Sequence, residues 1–189
     1  MSRVRGTPLD GSGTILHVQL RDELPSHPLV AADRERAERA MLRVDGLVAR
    51  PLELTPNDLA RLPRAALAEP FVCEEGWQVP NLRWAGVRLA DVLALGQPLL
   101  TASYVRAGSG AWVVPIALAD IDAAFVCDEL NGEPLAIEHG APWRLVFSGG
   151  ACYTSVKWLE HLELTANPGE NDARRIALSR LLADESGRT

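Results

Sequence analysis

The chain has 189 residues, of which 47% are hydrophobic, a length and composition that suit a compact domain with a full core. Its formal net charge of −6 argues against nucleic acid or an anionic membrane surface as a partner, since both require a basic face. No stretch approaches the roughly 18 apolar residues needed to span a bilayer.

Met1-Ser2-Arg3-Val4-Arg5-Gly6 has no twin-arginine pair and no apolar run behind it, so no secretory signal is read there. The three cysteines, Cys73, Cys127 and Cys152, are odd in number, widely spaced and form no CxxC. A disulfide framework or a zinc knuckle is not expected from them, and a reducing cytoplasm is the expected setting.

Residues 15–20 are expected as a strand, and the charged run 31–40 as a solvated helix. Residues 41–48 alternate like a half-buried strand, with a turn or bulge at Asp45-Gly46. Thr55 fits an N-cap, Pro56 the first helical position and Asp58 the positive helix end, so a short helix opens there. Another is expected over residues 89–95, ending at Gly96. Further strands are expected over 103–106, 111–116, 125–128, 144–147 and 156–164, with Asn131-Gly132 as a turn signal between two of them. Residues 171–183 read as a C-terminal helix capped by Asn171 or Asp172, with Ile176, Leu178, Leu181 and Leu182 as its apolar positions. The chain has no internal repeat or low-complexity linker. The expected class is α+β, a single domain over residues 1–189 in which strands dominate and helices are short.

Three segments carry chemistry. In Phe71-Val72-Cys73-Glu74-Glu75-Gly76-Trp77 an apolar run delivers a cysteine to a strand end. Cys73 is either a buried packing thiol or a metal ligand. Two neighbouring glutamates raise a thiol's pKa, so simple nucleophilic catalysis is disfavoured, whereas a coordinated thiolate is deprotonated outright. In His139-Gly140-Ala141-Pro142-Trp143-Arg144 a tight bend leaves His139 and Arg144 on its flanks, where Arg144 can contact a phosphate in bidentate fashion. In the glycine-containing loop from Ser148 to Lys157, backbone N–H groups, the Ser155 hydroxyl and the Lys157 ammonium suit an anionic ligand. Lys157 is the single lysine beside eighteen arginines. Each segment alone is also compatible with plain packing or a solvated loop. Asp120, Asp122, Asp128 and Glu129 match no metal loop, and His17 and His27 receive no role.

Taken in order, these segments resemble the molybdopterin-binding domain of the sulfite oxidase family, over residues 42–164. The resemblance includes Val44-Asp45-Gly46-Leu47-Val48, Val72-Cys73 with Gly76-Trp77, and Trp84-Ala85-Gly86-Val87 with Asp91-Val92-Leu93. It closes with Asn131-Gly132-Glu133-Pro134-Leu135, His139-Gly140-Ala141-Pro142, Arg144-Leu145-Val146 and Ser155-Val156-Lys157-Trp158-Leu159. It implies the mixed-sheet fold of that family, in its minimal bacterial form, and a molybdenum–molybdopterin cofactor. It implies Cys73 as the sole protein ligand of the metal, with His139 and Arg144 along the pterin and its phosphate and Ser155 and Lys157 holding the same end. It further implies an oxidoreductase that performs oxygen-atom transfer on a small substrate, exchanging electrons with a separate partner.

The departures from the family pattern bear on the substrate. Arginines that bind sulfite usually follow the ligand cysteine, but here Glu74-Glu75-Gly76-Trp77-Gln78 follows, and Arg83 is the nearest arginine after it. A neutral S-oxide or N-oxide is therefore expected over sulfite. Ser148, Cys152 and Thr154 stand where the family usually has proline, glycine and a basic residue, which leaves a non-catalytic cofactor- or partner-binding relative as the alternative.

Overall fold

A computed structural model describes residues 18–26 and 28–186. Its strands form two sheets. The first contains β1 (Gln19–Leu20), β4 (Arg64–Cys73), β5 (Trp77–Arg88), β8 (Ala124–Leu130), β9 (Glu133–Pro134) and β10 (Arg144–Phe147). The second runs in the order β3 (Leu52–Leu54), β2 (Leu42–Gly46), β11 (His161–Thr165), β6 (Tyr104–Ser109) and β7 (Trp112–Ala117). Four helices complete the described fold: α1 (Ala31–Arg39), α2 (Pro56–Leu59), α3 (Leu89–Gly96) and α4 (Asp172–Ser186). Parallel pairs (β1–β5, β2–β11) stand among antiparallel ones, so the expected α+β class with mixed sheets and short helices is what forms.

The local signals act as their chemistry requires. At Gly46 the backbone turns to φ +80°, and an added Cβ would sit 2.3 Å from the Leu164 carbonyl oxygen, so only glycine ends β2 there. Asn131 and Gly132, at φ +56° and +88°, form the tight turn between β8 and β9. Thr55 donates its N–H and hydroxyl to Asp58 at 2.9 and 2.6 Å, closing the first turn of α2. Asn171 Oδ1 accepts the Arg174 N–H at 2.9 Å and caps α4.

Two readings need correction. Residues 156–164 do not form one strand: Val156 bridges Leu145 in isolation, Trp158 takes φ +52°, and β11 starts only at His161. The break turns Lys157 inward, where a continuous strand would alternate it with the core. The long β4–β5 hairpin was not expected as a pair of strands. It pairs from Arg64↔Val87 to Cys73↔Trp77, with irregularities at Glu69–Phe71 and at Ala85–Gly86. The expected strand over 15–20 is β1 at Gln19–Leu20, while Ile15, Leu16, His17 and also His27 lie outside the described residues. Asp120 and Asp122 decorate a single 3-10 segment, and Asp128 and Glu129 both pair with Arg64, at 2.7 and 2.6 Å.

The buried side chains gather in two clusters. One joins Leu42, Val44, Val105, Leu162 and Leu164 of the second sheet to Leu89 and Val92 of α3 and to Val126 and Leu145 of the first sheet. The other lies within the first sheet and contains Cys73, Trp77, Val79, Trp84, Phe125, Cys127 and Val146. The candidate site forms where this second cluster reaches the loops after β4 and β10.

Candidate active site

Alternation along β4 places Leu67, Glu69, Phe71 and Cys73 on one face of the strand, with Cys73 buried at its end. Beyond it the chain reverses through Glu74 to Gly76, and the Gly76 N–H donates to the Cys73 carbonyl at 3.1 Å. The loop after β10 comes back over this strand end, where Ser148 Oγ donates to Glu69 at 2.7 Å and Thr154 Oγ1 to the Ala151 carbonyl at 2.6 Å. Trp112 of β7 donates its Nε1–H to the Tyr153 carbonyl at 3.1 Å, tying the second sheet to the same loop. Between strand and loop opens a cavity of about 400 Å³ lined by Glu69, Pro70, Val72, Cys73, Glu74 and Gly149 to Ala151.

Cys152 sits against Cys73, their Sγ atoms 3.0 Å apart, and its thiol also lies 2.7 Å from a Glu74 carboxylate oxygen. Hydrogen bonding with Cys152 pulls the Cys73 pKa below the ordinary thiol value, against burial and the nearby glutamates. The Cys152 pKa is pushed up by that same bond, by burial and by Glu74. Cys73 is thus the better thiolate of the pair.

A second group of side chains lies on the other side of Phe71. Arg144 is only 4% exposed, and its guanidinium stacks over the rings of Phe71 and Trp84 at 5.1 and 5.0 Å. It donates to Ser155 Oγ at 2.7 Å and to the His139 carbonyl at 3.3 Å, and no carboxylate pairs with it among the described residues. Burial brings its pKa down to about 10. Lys157 donates from Nζ to the Glu138 carbonyl at 2.7 Å, and burial together with Arg144 lowers its pKa to about 8. His139 Nδ1 is buried without a hydrogen-bond partner, and burial, Lys157 and Arg144 lower the pKa of the ring.

Two loops hold this group. Trp158 donates its N–H to Gly140 O at 3.1 Å and its indole N–H to Ile137 O at 2.8 Å. Gly140, at φ +111°, lies so close that an added Cβ would stand 2.8 Å from Lys157 Cα. Ser155 closes the arrangement by donating to the Leu145 carbonyl at 3.0 Å.

The structure therefore brings His139, Arg144, Ser155 and Lys157 together, with Cys73 one strand repeat beyond the Phe71 ring that Arg144 covers. Arg83 is not part of the cleft. It is exposed on β5, opposite Ala68, and its backbone is tied to Asn131. Glu69 and the Phe71–Trp84 sandwich were not singled out from the sequence. The spacing of Glu69, Phe71 and Cys73, two residues apart on one strand, is the signal that carried them.

Comparison with known proteins shows the family. Residues 29–173 match the model of the oxidoreductase molybdopterin-binding domain, and the chain belongs to that family. An uncharacterized oxidoreductase of Bacillus subtilis, YuiH, is 34% identical over 128 residues, which is 66% of this chain and 64% of that protein. Sulfite oxidase of Arabidopsis thaliana is 30% identical over 166 residues, 66% of this chain and 42% of its own length. The NADH nitrate reductase of Ulva prolifera is 27% identical over 165 residues, 69% of this chain and 19% of its own. The chain thus spans less than two thirds of these relatives. The sulfane dehydrogenase SoxCD of Paracoccus pantotrophus has the same fold, with a TM-score of 0.66 at 23% identity, over 77% of this chain and 41% of that one. No helix among the described residues is long and apolar enough to cross a membrane.

Proposed function

We propose that the chain is a molybdenum-cofactor oxidoreductase that carries out oxygen-atom transfer on a small neutral substrate, an S-oxide or N-oxide, with a separate protein exchanging its electrons. The observation that carries this reading is the unmatched positive charge. Among the described residues, buried Arg144 and half-buried Lys157 have no carboxylate at ion-pair distance, and a buried His139 nitrogen lacks a hydrogen-bond partner. Buried cations cost free energy unless an anion meets them. A pterin phosphate supplies that anion, so the donor set fits the family's cofactor.

In this reading Cys73 would be the thiolate ligand of the metal, at the buried end of β4 beside the cleft. Arg144, held by Phe71, Trp84 and Ser155, and Lys157, held by the Glu138 carbonyl, would hold the phosphate. His139, whose buried Nδ1 has no hydrogen-bond partner among the described residues, would lie along the pterin. When bound, the cofactor supplies two-electron oxygen-atom chemistry, and the protein positions it and tunes its electronics. Glu69 and Glu74 line the cleft at Cys73 and repel an anionic substrate such as sulfite, which supports a neutral one. The three free thiols suit a reducing, cytoplasmic setting.

One feature favours a second reading, a non-catalytic relative that only holds the cofactor or a partner: Cys152 covers the Cys73 sulfur. A single preparation separates the two. The chain is purified from a host that makes the cofactor, then assayed for molybdenum and for the fluorescent pterin oxidation product. Near-stoichiometric molybdenum that disappears in Cys73→Ala is expected. Wild-type protein without metal or pterin would sink the proposal, and both present with no turnover of any dye acceptor would favour the second reading.

A further inference from the structure

The cleft holds a second set of donors around the same thiol. Cys73 Sγ, Cys152 Sγ and a Glu74 carboxylate oxygen all lie within 4.8 Å of one another, and among the described residues this is the one group of three such donors. We propose that in the cofactor-free chain Cys73, Glu74 and Cys152 form a binding site for a thiophilic divalent cation, zinc in kind, with its fourth position open to the cleft.

The donor chemistry selects the class of ion. Two sulfurs and one oxygen cannot satisfy magnesium or calcium, which take six or more oxygen ligands. Thiolates with a carboxylate suit zinc, which is four-coordinate and leaves one position to water where the protein gives three ligands. That position would face the cavity of about 400 Å³.

The distances require only a small adjustment. Zinc–sulfur bonds of about 2.3 Å in a tetrahedral site hold two sulfurs about 3.8 Å apart. The sulfurs stand 3.0 Å apart. A rotation of the Cys152 side chain, which sits half-buried on a single 3-10 turn, opens the pair by the remaining fraction of an ångström. Glu74 opens by a similar amount: a zinc–oxygen bond of about 2.1 Å places its oxygen about 3.6 Å from a bound sulfur, and it now stands 2.7 Å from Cys152 Sγ, on the exposed side of the pair.

Charge also closes. Two thiolates and a carboxylate carry −3, and a divalent ion reduces this to −1. Arg144, buried and without a carboxylate of its own, is near enough to Cys152 for the two charges to act on each other. Binding is then an exchange of ligands without redox change: bonds from the ion to its waters break, the two thiol protons go to solvent, and two sulfur–metal bonds and one oxygen–metal bond to Glu74 form. A separation of 79 positions in sequence hides this pair from a search for zinc spacings. If Cys73 is also the cofactor ligand, as proposed above, zinc and cofactor compete for it.

The test uses the full chain from a host unable to make the cofactor, reduced and titrated with zinc alone, then with cobalt(II) as a spectroscopic stand-in. One equivalent is expected, with two protons released per ion, and for cobalt a sulfur-to-metal charge-transfer band with the intense visible bands of tetrahedral geometry. Cys152→Ser should weaken binding by at least tenfold and remove half of the charge-transfer intensity, and Glu74→Gln should weaken it several-fold. Zinc bound equally well by Cys152→Ser, or a pale octahedral cobalt spectrum, would overturn the proposal. Both substitutions lie on the open side of the cleft, so the decision does not depend on whether Cys73→Ser folds. Because no cofactor enters the experiment, its failure leaves the oxidoreductase reading untouched, and loss of that reading leaves the zinc site standing.

Discussion

Lys157 offers a direct measure of the charge held in the proposed phosphate site. Its pKa falls from 10.5 to about 8, first through burial and then through Arg144. At about 1.4 kcal/mol per unit, the full drop corresponds to a penalty of about 3 kcal/mol on the ammonium, and partial solvent access reduces this to about 2 kcal/mol. Below pH 8 the lysine is protonated in both the folded and unfolded chain, so the whole penalty weighs on the fold. Between pH 8 and 10.5 the unfolded chain still holds the proton that the folded chain has released, and stability rises with pH. Lys157→Met removes the penalty but also the hydrogen bond to Glu138, which contributes about 1 kcal/mol. The cofactor-free variant should therefore be about 1 kcal/mol more stable than wild type at pH 7, and the advantage should vanish and reverse by pH 10.5. Urea unfolding of both proteins, cofactor-free, at several pH values measures the difference directly. A variant less stable than wild type at pH 7, or two curves that run parallel across that window, would refute the stored-charge argument.

Other consequences follow from close contacts and from the acidic cleft. In Gly86→Ala the new Cβ would meet the Val126 carbonyl oxygen at 2.1 Å, backbone against side chain at an irregular step of the β5–β8 pair. A loss of about 3 kcal/mol, or roughly 6–12 °C in melting temperature, is expected, and an unchanged melting curve would contradict the packing described. Gly140→Ala pushes on the Lys157 backbone at 2.8 Å in a left-handed conformation, and it should cost about 2 kcal/mol in urea unfolding while lowering pterin content in preparations from a cofactor-making host. Glu69→Gln removes a charge from the cleft without enlarging the side chain, so the KM for an anionic substrate such as sulfite should fall about threefold at low salt and less at high salt. A neutral S-oxide should show no such change, and equal effects on both would argue against an electrostatic role.

How far the sequence reveals this molecule depends on whether a feature is local. Asp45-Gly46, Thr55 with Asp58, Asn131-Gly132 and Asn171 act through their immediate neighbours, so their turns and caps are legible from the chain itself. The β4–β5 hairpin escapes because Pro70 and Pro80 interrupt both strands and the small residues Ala65, Ala66 and Ala68 blur the alternation. Trp158 escapes for another reason: its φ of +52° is imposed by Gly140 and Ile137 accepting its two N–H groups, a contact made across the fold. That contact is what aims Lys157 inward, so the residue stood out as the lone lysine while its orientation did not.

The site divides along the same line. Cys73, His139, Arg144, Ser155 and Lys157 are visible because their order along the chain matches a family pattern. The approach of Cys152 to Cys73 depends on a loop that departs from that pattern, and 79 positions in sequence separate the two sulfurs. The half of the site that follows the family pattern carries the donors proposed to hold an anion, and the departing half places a second thiol and a carboxylate beside Cys73, the proposed metal ligand. The proposals on substrate charge and on a second metal therefore rest on Glu69 and Glu74, which line the cleft, and on Cys152 beside them.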